Sequence, residues 1–491
     1  MKKVAIVGGG LSGLAAGIYG QKYGLECEIF EKQPHAGGNL TGWSRNGCII
    51  DNCIHWLTGT LPGNPTNDMW HELGMLDAST RLKRGPHLYE SRWHGMRVAL
   101  CADPEETRRR MLALSPDDAP EINRLIRTVH ALTPIIGSGR LTEKAGILPH
   151  LPDVLFYWKT SLYELADRFR HPLLRLLMTD YIGGEFSAMA LICAYTAYAC
   201  GNGSIPEGGS VEAAQRIQNR FTELGGVFHA AIPIRQIVTE NGIATGVLSE
   251  QGEFFPADHV ICACDPEVTF GKLLPRDTMP KQLQKRLADP NAPVFSAIHA
   301  AFLCDREMLT PFGTCIVDAP SFSIRSDGRM PVKEYSHEPG YAPEGKVLLQ
   351  TLVFQVEKEC ADWIALRNDR EAYRAKKQEL TGQMAEAISR AMPELRESLQ
   401  PVDFWTPATY QRYFGARAGA FLAGALTPKA SLKRLSNRVP KLRNVTLATQ
   451  WLQSPGGLPI AAMSGIAAAK TCSKQLKSAK LQSPVPVPET T

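Results

Sequence analysis

Residues 4–31 read VAIVGGGLSGLAAGIYGQKYGLECEIFE, and this stretch decides the fold. An apolar strand leads into a Gly8-x-Gly10-x-x-Gly13 turn, a helix and a second strand that ends in Glu31. The glycines permit a tight turn, close approach of the backbone to a pyrophosphate and close packing of helix on strand. The start of the helix offers free N–H groups and a positive dipole end to phosphates. The stretch therefore predicts a dinucleotide-binding βαβ unit. In this unit the Glu31 carboxylate accepts hydrogen bonds from ribose hydroxyls and disfavours the 2′-phosphate of NADP.

A secretory signal is the alternative interpretation of the same N-terminus, because Met1, Lys2 and Lys3 precede an apolar run with small residues. The run holds five glycines up to Gly17 and continues directly into the second strand. Cleavage there would destroy a complete binding unit, so we expect the segment to remain part of the fold.

The composition is that of a globular protein with an ample core. The chain has 491 residues, 44% of them hydrophobic and 21% charged, and a formal net charge of +5. This charge is too small and too scattered to indicate nucleic-acid binding. No window approaches the roughly 18 uninterrupted apolar residues of a transmembrane helix. Twelve cysteines occur without a CxxC pair, which predicts reduced thiols, no metal site and a cytoplasmic location.

The pattern of elements along the chain predicts two interleaved domains. Residues 70–200 are mostly helical in pattern, whereas short β-rich runs that resemble a meander follow Pro206. Further strands are expected at 295–304 and 347–356, and a long helix at 368–392. The predicted fold is α/β, a Rossmann-type domain with a parallel sheet and a β-meander, interrupted by an inserted mixed α+β substrate domain. The predicted boundaries are 1–62, 205–290 and 437–476 for the nucleotide-binding domain, 63–204 and 291–436 for the substrate domain, and 477–491 for a disordered tail.

Further motifs extend this picture across nearly the whole chain. Glu31 is followed by Gly37-Gly38-Asn39, and Pro206-Glu207-Gly208-Gly209-Ser210 opens the second α/β piece. Ala263-Cys264-Asp265-Pro266 follows a strand, and Ser454-Pro455-Gly456-Gly457-Leu458-Pro459 precedes the last helix. In this order the motifs resemble those of phytoene-desaturase-like proteins, which have the glutathione-reductase-like FAD fold. That family includes carotenoid desaturases, carotenoid isomerases and retinol saturases.

The resemblance implies one FAD molecule held between the two ends of the chain. The family usually has arginine at the position of Asn39, and asparagine lacks that charge and reach. The residues assigned to FAD by the resemblance are Gly8, Gly10, Ser12 and Gly13 at the pyrophosphate, Glu31 and Lys32 at the adenosine ribose, Gly38 and Asn39 at the phosphate and ribityl chain, Ile234 at the adenine, and Gly456, Gly457, Leu458 and Pro459 at the flavin.

His55 is the candidate catalytic residue. Asp51, Asn52 and His55 fall where the family's loop passes the flavin ring, and histidine can act as a general acid or base near neutral pH. A structural histidine with satisfied hydrogen bonds is the alternative, and Asp51 is equally a candidate loop anchor. Trp56, Tyr413 and Phe414 are candidates for the lining of an apolar tunnel or, alternatively, for the core.

The chain carries one dinucleotide fingerprint, so its flavin must exchange electrons with an external acceptor or donor, or be reduced once and reused in an isomerisation. The resemblance implies hydride transfer to or from C=C or C–C bonds of a hydrophobic, carotenoid-, retinoid- or steroid-like substrate. An amine or amino-acid oxidase of the same fold is one alternative, and a non-catalytic escort-type protein is another. The apolar residues 148–163 favour either inward packing or peripheral membrane contact. The oligomeric state stays open.

Overall fold

A computed structural model describes residues 2–323 and 328–480, without the side chains of residues 141–145, 479 and 480. The last helix continues to Lys480, so residues 477–480 are helical rather than part of the expected tail. The remainder of that tail, residues 481–491, lies outside the described residues. No helix in the described ranges is long and apolar enough to cross a membrane.

The strands alternate with helices in the first and last parts of the chain and cluster into hairpins in the middle. In chain order the strands are β1 (Lys3–Val7), β2 (Glu26–Phe30), β3 (Gly42–Arg45), β4 (Cys48–Asp51), β5 (Leu57–Thr58), β6 (Leu82–Lys83), β7 (His87–Trp93), β8 (Met96–Cys101), β9 (Gly203–Pro206), β10 (Val227–His229), β11 (Ile234–Glu240), β12 (Ile243–Ser249), β13 (Phe254–Pro256), β14 (His259–Cys262), β15 (Phe295–Asp305), β16 (Thr314–Asp318), β17 (Arg329–Glu334), β18 (Lys346–Val356), β19 (Gln400–Trp405) and β20 (Val445–Leu447).

The helices include α1, which follows β1 of the parallel sheet after three residues. In chain order the helices are α1 (Leu11–Lys22), α2 (Pro65–Leu73), α3 (Pro104–Leu114), α4 (Ala119–Ser138), α5 (Leu151–Lys159), α6 (Leu162–Ala166), α7 (Pro172–Thr179), α8 (Ala188–Ala199), α9 (Gly209–Glu223), α10 (Pro266–Val268), α11 (Lys281–Leu287), α12 (Glu357–Leu366), α13 (Arg370–Ala391), α14 (Pro407–Phe414) and α15 (Leu458–Lys480).

The chain divides into two compact units. The first comprises Met1–Leu40, Ala214–Ala288 and the chain from Lys433 onward, and the second comprises Thr41–Ala213 and Asp289–Leu432. The first segment of the first unit ends at Leu40, upstream of the expected boundary at residue 62. The reason is that β5 pairs with β9, which belongs to the second unit.

The first unit is built on a five-stranded parallel sheet in the order β10-β2-β1-β14-β20. Residues 4–7 of β1 are all buried, as expected for a parallel strand covered on both faces. Strands β11, β12 and β13 form the expected antiparallel meander. Because the sheet is parallel, the loops after β1 and β20 leave from its carboxyl edge, where such sheets bind ligands.

Small residues bring α15 close to α1. A Cβ on Gly465 would lie 2.1 Å from the carbonyl oxygen of Ser12, and a Cβ on Gly20 would lie 2.4 Å from the Cys27 sulfur. The backbone of α15 thus approaches α1 on one side, while α1 approaches β2 at Gly20. This packing brings the last helix of the chain against the first.

The second unit combines a seven-stranded sheet with a helical layer. The sheet order is β19-β15-β18-β17-β16-β7-β8, antiparallel except for β16 and β7. The strands expected at 295–304 and 347–356 are confirmed as β15 and β18, and the helix expected at 368–392 is confirmed as α13. The mostly helical pattern assigned to residues 70–200 misses the hairpin of β7 and β8, which turns at His94 and Gly95.

Candidate functional site

The turn after β1 is shaped to receive an anion. Gly8 adopts a φ of 109°, and its N–H donates to the Phe30 carbonyl at 2.9 Å. A Cβ on Gly13 would lie 1.9 Å from the Gly8 carbonyl oxygen, so only glycine fits there. Gly10 is the N-cap of α1, and the first turn carries no side-chain cap and no acidic residue. The N–H groups of Leu11 and Ser12 are thus left for a phosphate, as the fingerprint predicts.

The Glu31 carboxylate is held at the same turn. The side chain is buried, its Oε2 accepts the Gly9 N–H at 2.7 Å, and its Oε1 accepts the Gln33 N–H at 2.9 Å. The Glu31 carbonyl also accepts the Ile232 N–H at 2.9 Å, two residues before β11 begins at Ile234. Burial lowers the pKa of the neighbouring Lys32, although the Glu31 charge opposes that shift. The structure thus brings Glu31 to the glycine turn and Ile234 into the adjacent segment.

The Gly37-Gly38 stretch closes on the glycine turn from the other side. The Gly37 N–H donates to the Gly9 carbonyl at 2.9 Å, and Gly10 and Gly37 form an isolated parallel bridge. A Cβ on Gly38, which has a φ of 60°, would lie 3.1 Å from the Gly10 Cα. The neighbouring Asn39 is half-buried. These residues leave the backbone around Gly10 free of Cβ atoms, so a pyrophosphate can approach it closely.

The C-terminal motif forms the start of α15. Gly456 and Gly457 have φ angles of 82° and 86°, and Leu458 and Pro459 are the first residues of the helix. The Gly457 N–H donates to the Gln450 side chain at 2.8 Å. The first turn contains no acidic residue, so the positive end of the dipole is not compensated by a carboxylate there.

Two contacts that sequence reasoning missed support this motif. The Trp451 indole donates to Asp265 at 3.0 Å, which joins the motif after β14 to the segment before α15. The buried Arg286 guanidinium donates to the Lys433 carbonyl at 2.7 Å and to Ser454 at 3.3 Å. The motif containing Asp265 was the available signal for the first contact, whereas nothing in the sequence marks Arg286.

The residues predicted at the dinucleotide therefore come together in the first unit, and they fit it. The first turns of α1 and α15 carry no acidic residue, and the glycines let a pyrophosphate approach the backbone closely. His55 belongs to the second unit. Among the described residues no group of three His, Cys, Asp or Glu side chains could hold a metal ion.

The Asp51 carboxylate is a loop anchor. It is buried, and its Oδ1 accepts the N–H groups of Cys53 at 3.0 Å and Ile54 at 3.3 Å. Ser210 donates its hydroxyl to Oδ1 at 2.5 Å and its N–H to Oδ2 at 2.9 Å, and the Tyr341 hydroxyl donates to Oδ2 at 3.2 Å. With its oxygens occupied by these donors, Asp51 fixes the loop that leads to His55.

A buried ammonium on β17 contacts the same loop. Lys333 Nζ donates to the His55 carbonyl at 3.0 Å and lies 4.6 Å from the Tyr335 ring centroid. Burial lowers the Lys333 pKa to about 8, against the opposing charge of Asp51. Burial, with help from the Lys333 charge, also lowers the His55 pKa to about 4. At neutral pH His55 is therefore an uncharged imidazole, and the lowered pKa makes it a weaker base than an exposed histidine.

Asn52, which follows Asp51 on the loop, belongs to a second polar network. The Tyr410 hydroxyl donates to the Asn52 side chain at 3.0 Å and lies 3.0 Å from the His299 ring nitrogen. The His299 ring stacks on Trp405 with centroids 4.6 Å apart, and the Trp405 indole donates to Tyr410 at 3.2 Å. Burial lowers the His299 pKa well below its usual value, so this network is uncharged.

The three aromatic candidates fall in different surroundings. Trp56 is half-buried and packs against the helical core of the second unit. Phe414 is half-buried beside Tyr410, with ring centroids 6.0 Å apart. Tyr413 is exposed on α14, so it is not a core residue, and its place in a tunnel stays a prediction.

The second unit also contains an open groove of about 1280 Å³ that holds none of the predicted site residues. Its walls combine charged residues with apolar ones such as Trp93, Met96 and Phe312. The charged residues that line it are Glu90, Arg92, Arg97, Asp103, Glu106, Arg110, Asp318, Arg390 and Glu394.

Comparison with known proteins gives a family and a fold. The sequence model of one family, described as flavin-containing amine oxidoreductase, matches residues 11–473. The 4,4'-diaponeurosporene oxygenase of Staphylococcus aureus is 23% identical over 323 residues, covering 63% of this chain and 64% of that protein. The match thus spans less than two thirds of that relative's length.

Solved structures show the same fold at low identity. An oxidoreductase from Methanosarcina mazei has a TM-score of 0.61 at 18% identity, covering 96% of this chain and 100% of that chain. Putrescine oxidase bound to putrescine has a TM-score of 0.57 at 17% identity, covering 97% of this chain and 99% of that chain. At these identities the likeness concerns the fold alone, and it confirms the predicted α/β class.

Proposed function

Because this chain belongs to the flavin-containing amine oxidoreductase family, we propose that it oxidises, reduces or isomerises carbon–carbon bonds of a hydrophobic substrate. The chain is an FAD-dependent oxidoreductase, which confirms the enzyme class and the cofactor expected from the sequence. The predicted resemblance is confirmed at the level of this family. The substrate class is the part that we propose.

The observation that carries the proposal is the aromatic interior of the second unit. The Phe295 ring has three aromatic neighbours, Phe186 at 5.6 Å, Phe354 at 5.3 Å and Phe421 at 5.7 Å between centroids. Phe354 and Phe421 are only half-buried although they pack against an apolar core. Such surfaces suit an extended apolar molecule better than a small charged one. The name of the Staphylococcus aureus relative, which refers to a carotenoid, points to the same substrate class.

The first unit would hold the FAD. Backbone N–H groups at Gly10–Gly13 bind the pyrophosphate, Glu31 accepts hydrogen bonds from the ribose, and the start of α15 offers its dipole to the flavin. Bound FAD supplies the hydride acceptor or donor. Since the chain has one dinucleotide fingerprint, an external acceptor or donor completes each net redox cycle.

His55 would handle the proton. Desaturation removes a hydride and a proton from neighbouring carbons, and the proton needs an acceptor. The His55 imidazole is uncharged at neutral pH and sits on a loop fixed by Asp51 and Lys333. We assign it the role of proton acceptor in desaturation.

An amine oxidase is the second candidate, and Glu338 is the observation that favours it. Its Oε1 is buried and has no hydrogen-bond partner within the described chain, so it could accept a substrate ammonium. Two features weigh against this function. Burial raises the pKa of Glu338, which disfavours its charge, and Lys333 on nearby β17 is itself a buried cation.

Anaerobic flavin reduction distinguishes the two candidates. The FAD-loaded protein is mixed with a panel of polyene hydrocarbons in detergent and with a panel of mono- and diamines, while the visible flavin band is recorded. We expect the polyenes to bleach the oxidised flavin or to reoxidise prereduced flavin, and the amines to do neither. Bleaching by amines alone would establish the second candidate instead. No response to any polyene in either direction would reject the substrate class.

A further inference from the structure

The segment from residue 146 to the end of α6 presents a row of apolar side chains to solvent. Leu148 is 69% exposed, Leu151 43%, Leu155 48% and Tyr163 41%. Leu148, Leu151 and Leu155 are spaced by three and four residues, the spacing that places side chains on one face of a helix. Leu151 and Leu155 therefore share one face of α5, and Leu148 lies in the 3-10 helix just before it. We call these three exposed leucines the leucine face.

The opposite side of α5 is packed into the second unit. Tyr157 is fully buried, and its carbonyl accepts the Ser187 hydroxyl at 3.1 Å. The Phe156 ring lies under two guanidinium groups, those of Arg124 at 4.8 Å and Arg168 at 4.5 Å. The inward packing expected as one alternative is thus true of one face of α5. The other face keeps its leucines outside.

Cations flank the leucines in sequence, while α6 carries one exposed carboxylate, Glu164, next to Tyr163. Arg140 and Lys159 are exposed on either side of it. Asp153 is the only carboxylate residue between residues 146 and 160, and Arg124 pairs with it at 3.1 Å. The half-buried Trp158 and the exposed Tyr163 add aromatic side chains of the type that lie at the level of lipid headgroups.

We propose that the leucine face docks on a membrane surface that contains anionic phospholipids. Exposed leucines on one helix face, flanked by cations and by Trp and Tyr, have the composition of an interfacial helix. The leucines enter the acyl boundary while Arg140 and Lys159 contact phosphate groups. The proposal concerns where the protein works and does not depend on which substrate the flavin oxidises, so its failure leaves the proposed reaction standing.

The test is co-sedimentation of the FAD-loaded protein with vesicles. Vesicles of phosphatidylcholine with phosphatidylglycerol are compared with phosphatidylcholine alone, at low and high salt. We expect binding to the anionic vesicles that weakens at high salt, because exposed charges are screened. The double variant L151E/L155E should lower the partition coefficient by about tenfold or more, since it puts charge in place of apolar area that the membrane would bury.

The matched control is M308E/F254E, which makes the same change in charge at two other exposed apolar side chains. It should bind like the wild type. Flavin absorbance and circular dichroism verify that each variant is folded. Equal binding of the wild type and L151E/L155E, or no vesicle binding by the wild type, would overturn the proposal. A wild-type dimer that L151E/L155E converts to a monomer, without vesicle binding, would assign the face to a second copy of the chain.

Discussion

The Glu31 carboxylate accepts the backbone N–H of Gly9 at 2.7 Å, so the acid at the end of β2 is fastened to the turn after β1. One side chain thus stabilises the turn, and in the proposed FAD complex it would also accept hydrogen bonds from the ribose. Hydrogen bonds to a charged acceptor are stronger than those to a neutral one.

Replacing Glu31 should weaken FAD binding in a graded way. Glu31→Gln keeps one acceptor oxygen but loses the charge, whereas Glu31→Ala loses both. Each lost charge-assisted bond is worth about 1.5–3 kcal/mol, so we expect a fall in affinity of about tenfold or more for Gln and a larger one for Ala. Calorimetric titration of the apoprotein with FAD measures this. Glu253→Gln, at an exposed carboxylate of the same unit, is the control, and equal affinities for all three variants would contradict the assignment.

Gly13→Val should abolish FAD retention. A Cβ at this position would lie 1.9 Å from the Gly8 carbonyl oxygen, and that atom belongs to backbone that cannot turn aside. The turn must therefore open, which displaces the N–H groups that face the phosphates. The flavin content of the purified protein is the measurement. Gly271→Ala, where a Cβ meets nothing within 4 Å, should keep its flavin, and a fully loaded Gly13→Val protein would place the pyrophosphate elsewhere.

The sequence predicts the dinucleotide site better than the substrate unit, for a physical reason. Gly8, Gly13 and Glu31 are dictated by local backbone and charge requirements, so their types and spacing are visible in the chain. The clamp on the Asp51 loop joins residues far apart in sequence, Ser210, Lys333 and Tyr341, and only tertiary packing brings them together. The hairpin of β7 and β8 was missed because neighbouring helical patterns dominate residues 70–200.

Asp51→Asn should destabilise the second unit. In the variant an NH2 group replaces one carboxylate oxygen. If it replaces Oδ2, it cannot accept the hydrogen bonds that Ser210 and Tyr341 now donate there. Leaving one of these buried donors without an acceptor costs about 1–3 kcal/mol. Urea unfolding should show this loss, and Ser210→Ala should also lower stability because it removes the hydroxyl bonds to Asp51 and to the Ile54 N–H. Equal stability of Asp51→Asn and wild type would remove Asp51 as the anchor.

Lys333 should make stability depend on pH in the alkaline range. Its pKa is about 8 in the folded protein and near 10.5 when unfolded, so between these values the unfolded chain binds more protons. The contribution of Lys333 to stability therefore rises with pH across this window, by at most about 1.4 kcal/mol per pH unit. We compare the two proteins, wild type and Lys333→Met, by urea unfolding from pH 7 to about 10. The unfolding free energy of the wild type minus that of Lys333→Met should increase with pH. A constant difference would mean that the ammonium is not buried.

His55→Gln should slow the chemical step without loss of flavin. Glutamine can still donate and accept hydrogen bonds but cannot take up a proton, so the rate of anaerobic flavin reduction should fall by about a hundredfold or more. Because burial lowers the His55 pKa to about 4, the imidazole stays uncharged above about pH 5. Protonation of His55 should therefore not lower the wild-type rate between pH 7 and about 5.5. His71→Gln, at an exposed position of the second unit, controls for the substitution itself. A wild-type rate in His55→Gln would make this histidine structural and would leave the proton to another group beside the loop, with Lys333 on β17 the first to be tested.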